Sequence, residues 1–185
     1  LSFLNGQIDF TYTYILAENK IVWTPQSSGL WEPQNISESV SNNYSFDINA
    51  EKRILKDLKA NLSSGFQFTN TKKTSSSYLN DPSENKFVPY IPLQSANLNF
   101  GVLYKDLEIN LFYSYSGNRY SDFSNKNKLK PYYVINSNIS LKLRYFDINT
   151  KIKFEVNNLT NTEFEVVSGY PMPLRYYKII FSVNY

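Results

Sequence analysis

Along most of this chain apolar and polar side chains take turns, residue by residue. Residues 6–16 set Ile8, Phe10, Tyr12, Tyr14 and Leu16 against Gln7, Asp9, Thr11 and Thr13. Successive side chains of a strand point to opposite faces, so this period of two predicts a β-strand with one apolar face. The alternation returns seven more times. It groups Tyr44, Phe46, Ile48 and Ala50, then Leu58, Ala60, Leu62, Phe66 and Phe68, then Ala96, Leu98, Phe100, Val102 and Tyr104. A fifth strand collects Leu107, Ile109, Leu111, Tyr113 and Tyr115, and a sixth Tyr133, Ile135, Ile139, Leu141, Leu143 and Tyr145. Ile148, Ile152, Phe154 and Val156 make the seventh, and Tyr177, Ile179, Phe181, Val183 and Tyr185 the last. The pattern predicts an all-β chain of eight antiparallel strands.

The connections carry a second regularity. Residues 17–42 and 69–94, rich in Pro, Ser and Asn, read as long loops; residues 117–132 and 158–174 read as medium ones. Between them lie short reversals at 52–57, 105–106 and 146–147. Long and short connections alternate, which puts every long loop at one end of the sheet. That is the asymmetry of an up-and-down transmembrane β-barrel. A half-buried strand of a soluble sandwich has the same period, so the aromatic positions matter. Tyr14, Tyr44, Phe68, Tyr104, Tyr115, Tyr133, Tyr145, Tyr177 and Tyr185 fall near strand ends on the apolar side. They frame an aliphatic band as two girdles, which favours the barrel.

Composition closes off other classes. The chain has 185 residues, 42% hydrophobic and 17% aromatic, more than disorder tolerates. Mean hydropathy is nonetheless −0.42, and no apolar run approaches the roughly 18 residues of a membrane helix. Alternating strands average out to such a value. Cys and His are both absent, which excludes disulfides, thiolate nucleophiles, imidazole bases and His- or Cys-bound zinc. An outer-membrane hydrolase is left without its usual His base. The net charge of +3 is scattered, so no nucleic-acid surface is expected. The chain opens Leu1-Ser2-Phe3-Leu4 with no visible signal peptide; either a leader was removed or this is a piece of something longer.

Several motifs carry a family resemblance. They are Phe87-Val88-Pro89-Tyr90-Ile91-Pro92, Gly117-Asn118-Arg119-Tyr120, and Val156-Asn157-Asn158-Leu159-Thr160-Asn161. Gly169-Tyr170-Pro171-Met172-Pro173-Leu174-Arg175 follows, ahead of a terminal alternating strand. Together they resemble the C-terminal part of the TonB-dependent outer-membrane receptors, across essentially the whole chain. The most specific stretch holds Asn157, Asn158, Leu159, Pro171, Pro173 and Arg175. Leu174 stands where that family commonly has Gly, so no turn geometry is carried over there.

The resemblance implies a 22-stranded, plugged barrel of which this chain is about the last eight strands. It further implies uptake of a scarce ligand such as a siderophore, cobalamin or another metal chelate, in the outer membrane of a Gram-negative bacterium. The partners implied are membrane lipid, the remaining strands, an N-terminal plug and, through that absent part, the TonB complex. Tyr177, Ile179, Phe181, Val183 and the terminal Tyr185 look like the signal read by the barrel assembly machinery, or simply a lipid-facing strand. No catalytic residue, metal or cofactor is expected.

Ligand contacts are expected from the loop residues Trp23, Trp31, Tyr78, Tyr90, Arg119 and Tyr170, because exposed aromatics and Arg bind planar or anionic groups. Loop packing, or an interfacial position for the two Trp residues, accounts for them equally. Lys142, Arg144, Lys151, Lys153 and Glu155 share the polar face and are expected to pair across the ladder. The alternative architecture is a complete eight-stranded barrel with a structural or adhesive role, in which the first and last strands pair with each other.

Overall fold

The computed structural model describes residues 4–25, 30–76, 79–145 and 148–184. In chain order the strands are β1 (Leu4–Pro25), β2 (Trp31–Leu55), β3 (Leu58–Lys73), β4 (Gln94–Tyr104), β5 (Leu107–Ser116), β6 (Arg119–Tyr120), β7 (Lys128–Leu129), β8 (Tyr132–Tyr145), β9 (Ile148–Asn157), β10 (Glu165–Val167), β11 (Tyr170–Pro171) and β12 (Tyr176–Asn184). Eight of them form one antiparallel sheet in the order β1-β2-β3-β4-β5-β8-β9-β12. Each long strand neighbours the one before it, as short reversals demand. The pairs β6-β7 and β10-β11 are small hairpins within the two medium loops.

Register sorts the side chains into rows of one character. Ala60, Val102, Ile109, Ile139, Phe154 and Ile179 stand side by side across six strands. One residue along, Asn61, Gly101, Asn110, Asn138, Glu155 and Lys178 form a row on the opposite face. A Cβ on Gly101 would lie 2.2 Å from Asn61 Oδ1 and 2.7 Å from Asn110 Oδ1, so the flanking amides fold over the glycine and fill the row.

The apolar face has no covering layer. Phe10 is 70% exposed and Phe181 68%, and Ile8 and Ile179 are nearly as open. Among the described residues the buried hydrophobic side chains are Ile36, Val88, Leu129 and Val134. All four sit toward the end of the sheet that carries the longer loops, so the packed part of the molecule is there and not between two layers. A soluble sandwich would bury its alternating apolar rows, and this sheet leaves them outside. The aromatic rows follow the predicted girdles, with Tyr12 against Tyr44 at 5.0 Å and Tyr44 against Phe68 at 6.4 Å between ring centroids.

The structure departs from the sequence pattern in three places. First, residues 17–42 are not a long loop. β1 runs on to Pro25 and β2 begins at Trp31, paired from Leu16↔Val40 up to Pro25↔Trp31. Beyond Leu16 neither face meets a uniform surrounding, so nothing selects a period of two, while the ladder hydrogen bonds form regardless of side chain. Pro33 falls where β2 has lost its second neighbour, β3 having ended opposite Ser39, the setting in which a strand tolerates proline. Tyr14 and Tyr44 therefore mark the edge of the apolar band and not the end of a strand. Second, β3 likewise extends to Lys73, inside the predicted loop 69–94, and β2 runs on to Leu55, so the reversal expected over 52–57 is confined to residues 56–57.

Third, the polar-face charges pair differently. Lys142 stands directly opposite Lys151, and Lys151 reaches past β8 to Glu108 on β5 at 3.3 Å. Lys153 pairs along its own strand with Glu155 at 2.7 Å. Among the described residues the sheet is also open: β1 and β12 are its two edges and make no ladder with each other. The small closed barrel requires that ladder. Tyr78, Tyr185 and the reversal at 146–147 lie outside the described residues.

Candidate functional site

The loops at the long-strand end are locked to the sheet by backbone pairing. Above Phe68, β3 has no β4 beside it, and residues 85–93 take that edge. Thr69 N–H donates to Leu93 O at 2.9 Å, Val88 N–H to Thr71 O at 3.0 Å and Lys73 N–H to Lys86 O at 3.0 Å. Lys73 Nζ, buried, donates to Asp81 Oδ2 at 2.5 Å and to Ser83 Oγ at 2.8 Å. The loop is then tied to the next one: Tyr90 N–H donates to Tyr120 O at 2.7 Å and Leu93 N–H to Asn118 O at 3.1 Å.

Tyr90 is the strained residue of this arrangement. Its φ is 62°, a region that disfavours a bulky side chain, whereas six of the other seven described non-Gly residues with positive φ are Asn. Its hydroxyl is buried and has no hydrogen-bond partner. Burial pushes the phenol pKa up, with partial offset from the Ser168 backbone and the Arg119 charge.

Arg119, 3% exposed, is held by main chain alone. It donates to Gly117 O at 3.5 Å, to Lys130 O at 3.3 Å and to Glu165 O. Its guanidinium lies 5.0 Å from the Tyr132 ring centroid. Among the described residues no carboxylate comes within ion-pair distance of it. Burial pulls its pKa down, against the opposing influence of Tyr132, Tyr90 and Glu165, but a guanidinium keeps its charge in a protein.

These residues surround a cavity of about 330 Å3 lined by Val22, Trp23, Trp31, Pro89, Tyr90, Pro92, Ser116, Arg119, Tyr132, Val166 and Val167. Trp31 faces Tyr90 at 6.1 Å between centroids. Four of the six expected ligand residues, Trp23, Trp31, Tyr90 and Arg119, thus come from three separate connections to one place. Tyr170 does not join them; it sits on β11, 53% exposed. Sequence reasoning missed Tyr132, Ser116, Val22, Val166, Val167 and the two prolines. Tyr132 carried a usable signal, since it directly precedes the alternating run and so points to the face opposite Tyr133.

A larger cavity of about 600 Å3 adjoins on the far side of Tyr132, with Lys128, Lys130, Glu163, Phe164, Met172 and Leu174 among its walls. Tyr132 stacks on Phe164 at 4.4 Å. Leu174 is not among the residues with positive φ, so the absence of Gly there asks nothing unusual of the backbone.

The Asn158 motif explains how the last loop stays closed. Asn158 is buried with φ 54°. Its Nδ2 donates to Thr162 O at 2.8 Å and Pro173 O at 3.3 Å, while Oδ1 accepts from Thr162 N–H at 2.8 Å. Asn161 Oδ1 accepts from Arg175 N–H at 3.0 Å. The motif thereby ties the start of the loop to its end, while Leu159 and Pro171 remain exposed. Asn158→Ala is expected to destabilise this loop by about 2 kcal/mol, from lost hydrogen bonds and the cost of left-handed backbone on Ala. Faster hydrogen exchange at the Thr162 amide measures it, and Asn158→Gly, which relieves only the backbone part, should fall between.

A sheet of this order, apolar on one side and gathering its loops at one end, is a segment of an up-and-down β-barrel wall. The family model for the TonB dependent receptor-like β-barrel matches residues 1–159, and the chain belongs to that family. Among solved structures it is similar to BauA, the ferric preacinetobactin receptor of Acinetobacter baumannii, at 13% identity and TM-score 0.64 over 97% of this chain and 27% of that one. The copper transporter OprC gives 12% and 0.63 over 97% of this chain and 29% of that one. The siderophore receptor PiuA of A. baumannii gives 16% and 0.55 over 98% and 27%. At these identities the likeness is one of fold, and the chain spans under a third of each. No curated protein sequence matches it.

Proposed function

We propose that this chain is wall and loops of an outer-membrane receptor for energy-coupled uptake of a scarce ligand: a siderophore, cobalamin or another metal chelate. The observation that carries the reading is the convergence of Trp23, Trp31, Tyr90 and Arg119 on one cavity at the loop end of a barrel wall of this family. The loops capture ligand there, the polar face confines it, and a plug driven from the periplasm by the TonB complex releases it inward. No covalent chemistry is asked of these residues. The uncovered apolar face meets outer-membrane lipid, and Tyr177, Ile179, Phe181 and Val183 on β12 present the strand that the assembly machinery receives.

The test is uptake. A Gram-negative strain lacking the receptor is complemented with the wild type or with a variant deleted in residues 85–93, and growth is followed on single iron chelates and on cobalamin. One ligand should support growth only with the wild type, and only while TonB is present. Equal growth with and without the receptor on every ligand would overturn the reading.

A further inference from the structure

Above the aromatic band, toward the longer loops, the apolar face of the wall carries a row of different character. Lys72 stands four positions past Phe68 on β3 and so shares its face. Register places Val40 and Leu16 beside Lys72 on one side, and an isolated bridge places Phe87 on the other. From there the row continues through side chains. The Phe87 ring stacks on Tyr120 at 5.7 Å between centroids and 12° between planes, and Tyr120 stands opposite Lys128 across β6 and β7. Lys72 Nζ lies 5.1 Å from the Phe87 centroid and Lys128 Nζ 5.3 Å from that of Tyr120. Two ammonium groups therefore bracket a pair of stacked rings.

The arrangement is held from behind. Asn125 Nδ2 donates to Phe87 O at 2.9 Å and its Oδ1 accepts from Phe87 N–H at 2.7 Å, so one side chain clamps residues 85–93 to the β6–β7 hairpin where the rings meet. The carboxylate of that hairpin, Asp122, is occupied within its own turn by Ser124 Oγ at 2.5 Å and by the N–H groups of Lys126 and Asn127. Among the described residues no carboxylate lies within ion-pair distance of Lys72 or Lys128. Glu18 and Glu38, on the same face, belong to the next row out, and Glu38 accepts from the Thr74 hydroxyl at 2.5 Å. A ring face orders a lysine without neutralising it, which an ion pair would do.

Resting on the reading that the apolar face meets lipid, we infer that this array is a site for the phosphate of a net-anionic lipid headgroup in the outer leaflet. Four residues of strand span about 13 Å, and barrel strands are tilted, so the lysines reach the headgroup level just above the Phe68 row. Their Nζ groups donate to phosphate oxygens while the acyl chains run down over Phe68 and Tyr44. Continuity with the apolar band is what selects a lipid over a soluble anion, which would gain nothing from Leu16, Val40 or the rings below.

The experiment offers the detergent-solubilised receptor containing this chain equimolar phosphatidylglycerol and phosphatidylcholine with matched acyl chains, and native mass spectrometry counts the lipids retained. Phosphatidylglycerol should be preferred. Lys72→Gln/Lys128→Gln should weaken its retention about 25-fold, about fivefold for each basic side chain at an anionic surface, with the unfolding midpoint unchanged. Lys72→Arg/Lys128→Arg should keep the preference, and Phe87→Leu should weaken it about threefold by freeing Lys72 from its ring. Lys59→Gln/Lys178→Gln, which removes two charges from the polar face, should change nothing, and excess inorganic phosphate should not displace the lipid. A Gln pair that retains phosphatidylglycerol like wild type, an equal loss in the polar-face control, or displacement by phosphate alone would overturn the site. Equal retention of both lipids would sink the site and leave the lipid-facing wall standing, whereas retention of neither would sink the wall as well.

Discussion

Lys73→Met is expected to be among the costliest single changes in the loop region, lowering stability by about 3–5 kcal/mol, the usual penalty for removing one member of a buried ion pair. The Lys73 and Asp81 side chains are 6% and 2% exposed, so water cannot take over the role of the lost ammonium. Asp81 would retain the Ser83 backbone N–H at 2.9 Å and the Ser83 hydroxyl but lose its opposite charge. Because residues 74–93 carry Tyr90, loosening this latch also opens the cavity. Limited proteolysis within residues 74–93 of the membrane-embedded receptor measures the first effect and tryptophan emission the second. Lys73→Met/Asp81→Asn should recover part of the loss, as the lone carboxylate is gone. A single variant as protease-resistant as wild type would show that the pair contributes nothing.

Ile139→Arg should cost about 2–4 kcal/mol if the open apolar face meets hydrocarbon. Ile139 sits midway between Tyr133 and Tyr145 on β8, in the row with Ile109 and Phe154, where the depth-dependent penalty is greatest. Ile139→Leu is the control and should change little. Reversible urea unfolding in lipid vesicles compares them. Equal midpoints for the Arg and Leu variants would mean that this face sees water.

The sequence was most legible where each strand lies between two unlike surroundings. For β4, β5, β8, β9 and β12 the alternation predicted strands within a residue or so of those observed, because one face selects Ile, Leu and Phe and the other Asn, Ser and Lys. It went silent on the upper halves of β1 and β2, where Glu18 stands opposite Glu38 and Trp23 opposite Pro33. There the backbone ladder holds the strand and no side-chain period records it. The cavity was half legible. Residue chemistry pointed to Trp31, Tyr90 and Arg119, but their convergence depends on residues 85–93 docking beside β3 through main-chain bonds, which leave no pattern. Tyr132 was hidden by its place at a strand boundary. For Asn158, the resemblance picked out the residue and only the hydrogen bonds to Thr162 and Pro173 gave the reason.

Among the described residues no strand pairs with the outer flanks of β1 and β12. In water such a border is merely hydrated; in a hydrocarbon slab every bare amide costs several kcal/mol. This sheet cannot enter a bilayer by itself and remain there as it stands. In a bilayer those flanks would have to be covered, whether by more of the same polypeptide or by another copy, before their amides met hydrocarbon.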